Sequence, residues 1–303
     1  MILLETSNKI WEEPLRERFN SGPEHLLIKL ADFDGVTYQI ATPESKTQLV
    51  ISMAMGCYDE CQRYGADAIL QREYGSLLVS TPEPGFAVTL KIDLEQLPAT
   101  PEAKEQLVQQ VAHLKRNALA APFESAFVAQ CEGRTTDLMA VHYRDAEAIY
   151  CQAQADRVTV IFSTVFKEET DRIFGKVFLQ EFVDARRQPA IQNAPQVLYS
   201  AREPPLEIRG QPRLVDDENV GYVTFVLFPR HYATPQARNE AIGRLQLFRD
   251  YLHYHIKASK AYMHSRMRAR VDQSLKVLNR AKPEQPGANK EKKTASGKTF
   301  RRM

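Results

Sequence analysis

The chain has 303 residues, 43% of them hydrophobic and 26% charged, which is enough for two ordinary domains with buried cores. No apolar run approaches the roughly 20 residues of a membrane span, so no membrane insertion is expected. The formal charge of +2 conceals a separation: residues 235–303 carry 17 Lys/Arg against 5 Asp/Glu, and residues 1–234 carry 23 against 33. A basic end on an acidic body calls for an acidic partner, for which nucleic acid, anionic lipid and an acidic protein polymer all qualify.

The start, Met1-Ile2-Leu3-Leu4-Glu5, is not expected to be a signal peptide, because it lacks a basic segment and a small-residue cleavage site. The four cysteines (Cys57, Cys61, Cys131, Cys151) suit a reducing compartment, and a cytoplasmic protein is expected. Cys57 and Cys61 sit one helical turn apart without a second Cys/His pair at zinc spacing, so they read as small core or surface residues.

Ile10, Trp11, Leu15 and Phe19 fall at helical spacing over 8–19, and Asn20-Ser21-Gly22-Pro23 ends the run. A hairpin follows, with strands at 25–33 and 36–41 around Asp34-Gly35; Asp32 and Asp34 read as turn formers rather than a catalytic or metal pair. A third strand is expected at 48–55, two short helices at 57–64 and 66–74, and strands at 76–80 and 86–92. Thr100 can cap a helix over 100–115 with Pro101 at its first position.

The pattern then begins again. A short helix is expected at 122–129, and strands at 139–144, 148–152, 156–166 and 173–182. Val158 to Val165 is rich in β-branched residues and almost wholly apolar, as a central strand buried on both faces would be. Residues 185–207 hold four prolines and read as an ordered loop; 219–229 is the last strand.

From Pro235 to Arg280 only Gly243 interrupts a helical pattern that Thr234 can cap and that Pro283, Pro286 and Gly287 end. Apolar or small residues recur every three or four positions at Ile242, Leu245, Phe248, Leu252, Ile256, Ser259, Met263, Met267, Val271, Leu275 and Leu278. Such a helix is roughly 70 Å long, against a radius of gyration of about 19 Å for a compact chain of this size. It must lie along its own domains or against another protein. Tyr251, Tyr254 and Tyr262 lie off the stripe and would widen the buried surface.

The fold class expected is α+β, of the α/β sandwich type. Two consecutive domains, 1–121 and 122–234, each hold a mainly antiparallel sheet plus helices. The long C-terminal helix follows at 235–281, and 282–303 is a basic tail with seven basic and two acidic residues. No phosphate loop, dinucleotide fingerprint, nucleophile elbow or HExxH motif occurs, and His253 and His255 are two apart and diverge on a helix. No catalytic residue, cofactor or metal is therefore expected.

The segments FRDYLHYHIKASKAYMHSRMRA (248–269), LKVLNRAKP (275–283), ADFDGVTY (31–38), HLKRNALA (113–120), VHYRDAE (141–147), DRVTVIFSTVF (156–166), GKVFLQEF (175–182), APQVLYSAREPPLE (194–207), NVGYVTFVLFPRHY (219–232) and GKTF (297–300) share one resemblance. In order and along nearly the whole chain, they resemble subunit 2, the large scaffold subunit, of the actin-related protein 2/3 complex. The resemblance implies two α/β domains and a long helix that pairs with subunit 4. It also implies contact with the two actin-related subunits and with the side of the mother actin filament, in support of branched actin nucleation at the cortical or leading-edge cytoskeleton, without catalysis. The interface stripe would comprise Leu245, Phe248, Leu252, Ile256, Met263 and Met267. Since actin filaments are acidic, the filament candidates are Arg266, Arg268, Arg270, Lys276 and Arg280, with Arg157 at a matching Asp-Arg position. Cys151-Gln152-Ala153-Gln154-Ala155 is uncharged where the family carries charge. The alternative is a nucleic-acid- or lipid-binding adaptor using the basic rod. It would interleave aromatics with basic residues on an exposed face, whereas here the aromatics fall with the apolar stripes.

Overall fold

A computed structural model describes residues 4–185, 188–215 and 217–280, together with the backbone of 292–293 and 299–300. Residues up to Ile256 form one compact unit and those from Lys257 onward a second.

The first unit opens with helix α1 (Lys9–Asn20), whose Asn8 cap accepts from the Ile10 amide. Strands β1 (Leu27–Ala31), β2 (Thr37–Ala41), β3 (Gln48–Ala54) and β4 (Val88–Asp93) pair in sequence order, all antiparallel. The turn between β1 and β2 is built by Asp32, whose carboxylate accepts from the amides of Asp34 and Val36, and by Gly35 at φ +76°. The two short helices appear as α2 (Tyr58–Arg63) and α3 (Ala66–Tyr74). The expected strand at 76–80 does not form. Gly75–Leu77 is a single 3-10 turn, and Leu78 makes one isolated bridge to Leu90. The Thr100-capped helix is α4 (Pro101–Ala112), which breaks at His113 and resumes as α5 (Leu114–Ala118), followed by α6 (Ala121–Cys131).

The second sheet has the order β5-β6-β7-β9-β8, again all antiparallel. Its strands are β5 (Met139–Val141), β6 (Ile149–Ala153), β7 (Val158–Val165), β8 (Gln196–Ala201) and β9 (Val220–Leu227). Seven of the eight residues of β7 and all eight of β9 are buried, as their unbroken apolar runs require. Two expectations fail in this half. Residues 173–182 are not a strand but lie within helix α7 (Glu169–Ala185). Phe174, Phe178 and Phe182 are spaced by four, and a Cβ on Gly175 would come within 2.6 Å of the Phe166 ring, so the glycine lets the helix approach that ring. The proline-rich stretch 185–207 contains an edge strand, β8, whose neighbour on one side is β9.

One contiguous hydrophobic cluster runs from Trp11 and Ile51 through Phe123 and Phe162 to Leu252. A smaller one (Tyr150, Ile161, Ile208, Tyr222) is packed against by Leu214 and Val215. Helix α8 (Pro235–Arg280) has the bounds that its caps imply, with the Thr234 hydroxyl accepting from the Ala237 amide. In the second unit α8 supplies residues 257–280, and β10 (Lys292–Lys293) pairs with β11 (Thr299–Phe300). The rest of the basic tail lies outside the described residues.

Candidate interaction surface

Among the described residues no group of three or more His, Cys, Asp or Glu could hold a metal, and no helix is long and apolar enough to cross a membrane. The residues with chemical potential are instead structural. Cys57, Cys61 and Cys151 are buried free thiols. His253 meets Thr164 Oγ1 at 3.1 Å and lies by Phe166, whereas His255 stacks on Phe178 and Tyr251, so the two diverge as their spacing requires. His231 closes a turn, its Nδ1 accepting from the Phe228 amide at 2.9 Å and its Nε2 meeting the Asn193 carbonyl at 2.7 Å.

The densest polar network surrounds the part of α8 in the first unit. Glu147, 4% exposed, accepts from Thr164 Oγ1, the Val165 amide and Arg249 Nε, the last at 2.9 Å. Arg144 bridges Glu147 and Asp34, and Lys115 pairs with both Asp34 and Asp32. Burial alone would raise the Asp34 pKa, but Lys115 and Arg144 outweigh it and hold the carboxyl below its ordinary range. Asp32 and Asp34 thus shape the turn, as expected, and also tie the β1–β2 hairpin to α5. Sequence spacing did not single out Glu147 or Lys115. A charged residue inside an apolar stretch such as Ala146-Glu147-Ala148-Ile149 was the available signal.

Along α8 the periodic stripe is continuous in sequence but not in burial. Ile242, Leu245, Phe248, Leu252 and Ile256 are buried. Phe248 lies 4.7 Å from the Phe225 ring and 5.4 Å from that of Phe162, which seats α8 on the central strands β7 and β9. Four of the six proposed interface residues, Leu245, Phe248, Leu252 and Ile256, therefore pack into the chain's own core. Beyond Ile256 the stripe is exposed: Met263 by 40%, Met267 by 56%, Val271 by 57%, Leu275 by 58% and Leu278 by 64%. Large apolar side chains thus stay exposed every three or four residues along this half of the helix. Tyr262 is exposed, not buried, with the Arg266 guanidinium 5.6 Å from its ring centroid.

The basic candidates Arg266, Arg268, Arg270, Lys276 and Arg280 are all exposed on the same 24 residues. Lys276 meets Asp272 at 2.6 Å, the sole acidic residue of 257–280. Arg157, in the first unit, is held by Asp156 at 2.7 Å. This part of α8 thus carries an exposed apolar seam with a cationic border.

Residues 51–285 match the protein family described as Arp2/3 complex, 34 kD subunit p34-Arc. A Schizosaccharomyces pombe protein named actin-related protein 2/3 complex subunit 2 is 52% identical over 319 aligned residues, covering 99% of each chain. A Dictyostelium discoideum protein of the same name is 40% identical over 303 residues, again across 99% of both.

Proposed function

This chain belongs to the p34-Arc family, the 34 kD subunit of the Arp2/3 complex, and from that membership we propose that it is a non-catalytic scaffold of actin nucleation. The observation that carries the reading is the change in the α8 stripe at Ile256, from buried to exposed, without any change in spacing. The buried half fastens the helix to its own sheet. The exposed half, Met263, Met267, Val271, Leu275 and Leu278, is the surface on which the long helix of subunit 4 packs, forming a core that also holds the two actin-related subunits.

The cationic border of that half contacts the side of the mother actin filament through Arg266, Arg268, Arg270, Lys276 and Arg280, with Arg157 as a further contact. A filament whose side is acidic attracts such residues over a Debye length of about 8 Å at physiological salt. The reading places the protein in the cytoplasmic actin cytoskeleton. Lys276→Glu with Arg280→Glu, in the assembled complex, is expected to weaken cosedimentation with actin filaments while leaving subunit composition intact. Undiminished binding at low salt refutes the filament assignment.

A further inference from the structure

The first unit carries a basic feature of a different kind. Val158 at the start of β7 pairs with Leu227 at the end of β9, so the register brings Arg157, one residue before, beside Phe228, one residue after. The Arg157 guanidinium carbon lies 5.6 Å from the centroid of the Phe228 ring. Pro229 then turns the chain, and the Arg230 guanidinium carbon reaches the same ring at 5.4 Å. Two guanidinium carbons are thus held within about 11 Å of each other on one aromatic platform. His231 pins the turn through Phe228 and Asn193.

The two arginines are not equivalent. Arg157 shares its charge with Asp156, at 2.7 and 2.8 Å. Arg230 is exposed and has no carboxylate within ion-pair distance among the described residues. Its contact with the Phe228 ring restricts a side chain that otherwise loses up to ~2 kcal/mol of rotamer freedom when it is ordered. A guanidinium without a carboxylate partner, held at the same ring as a second one, suits carboxylates presented by a protein surface.

We propose that Arg230, held with Arg157 on the Phe228 ring, is a contact residue for the acidic side of the actin filament. This rests on the filament reading above and adds a residue that no sequence pattern marked. The test uses the assembled complex carrying R230A, R230K or F228L, with filament cosedimentation across a salt series. R230A is expected to weaken binding about three- to tenfold and to flatten its salt dependence. R230K, which keeps the charge but loses the planar guanidinium, and F228L, which keeps both charges but loses the ring, should each lose part of that. Flotation with phosphatidylserine vesicles should not change. If R230A binds filaments like wild type while K276E/R280E is weakened, Arg230 is no contact and the filament reading stands. If both variants bind like wild type, the filament reading fails and this assignment falls with it. Loss of vesicle binding with filament binding intact overturns the assignment in favour of a membrane surface.

Discussion

Leu275 offers the sharpest separation of assembly from folding. It is 58% exposed, whereas Leu252, 23 positions earlier on the same stripe, is 0% exposed. Fully burying a leucine is worth about 1.5–3 kcal/mol, so covering what remains of Leu275 contributes about 1–1.5 kcal/mol to a helix pair. Leu275→Asp forfeits that gain and places an unpaired carboxylate in the apolar seam, at a further cost of several kcal/mol. Together these weaken pairing at least ~1,000-fold. The same change should leave the urea midpoint of the full chain unmoved, because residue 275 belongs to no core cluster. Leu252→Ala should do the reverse, costing about 2–5 kcal/mol of stability through the cavity it leaves. The assays are co-purification with co-expressed subunit 4 and urea unfolding of the isolated chain. Stoichiometric recovery of subunit 4 with Leu275→Asp would refute the placement of the seam.

Two further outcomes concern the anchorage of α8. Glu147→Ala leaves Arg144 and Arg249 half-buried without their shared carboxylate, and should lower stability by roughly 3–5 kcal/mol in urea unfolding. His253 is held neutral, chiefly by burial and then by Arg249, with its pKa brought down to about 4 from 6.5. A lowered histidine pKa means the unfolded chain binds the extra proton first. Its stabilisation is therefore complete above pH 6.5 and lost as pH falls towards 4, amounting to at most ~3 kcal/mol. Asp250, raised by burial, acts in the opposite sense in acid, so the informative quantity is the difference between wild type and His253→Gln. That difference should shrink between pH 7 and 4.5 in thermal melts, and a constant offset would count against the assignment.

The parts of the fold that sequence pattern exposed were those with one dominant signal. The caps Thr100 and Thr234 placed two helix starts, and the apolar runs at 158–165 and 220–227 placed the central strands. Errors arose where signals competed. In α7, β-branched and aromatic residues around Gly175 imitate a strand, yet the glycine is there because Phe166 allows no side chain. In β8, surrounding prolines masked a strand that survives at a sheet edge, where fewer ladder bonds are needed. Residues 76–80 alternate like a strand but meet β4 at one bridge.

The site was legible in the same partial way. Spacing gave the whole stripe, from Ile242 to Leu278, but spacing is identical on both sides of Ile256 and so could not say where self-packing ends. The neighbouring residues do carry that information. Before Ile256 the helix bears Tyr251, His253, Tyr254 and His255, with His253 set against Phe166 and His255 against Phe178. After it, arginines and lysines border the stripe, and they would be costly to bury in the chain's own core. Arg230 escaped notice because its significance lies in the strand register that joins 157 to 228, and one-dimensional spacing does not contain it.

If the stripe beyond Ile256 is an assembly surface, subunit 4 must cover it. Amide hydrogen exchange over residues 257–280, with the chain alone and then bound to subunit 4, addresses it most directly. Binding is expected to slow exchange strongly throughout this segment and to leave β7 and β9 as they were. Unchanged exchange at 257–280, with protection gained elsewhere, would contradict it.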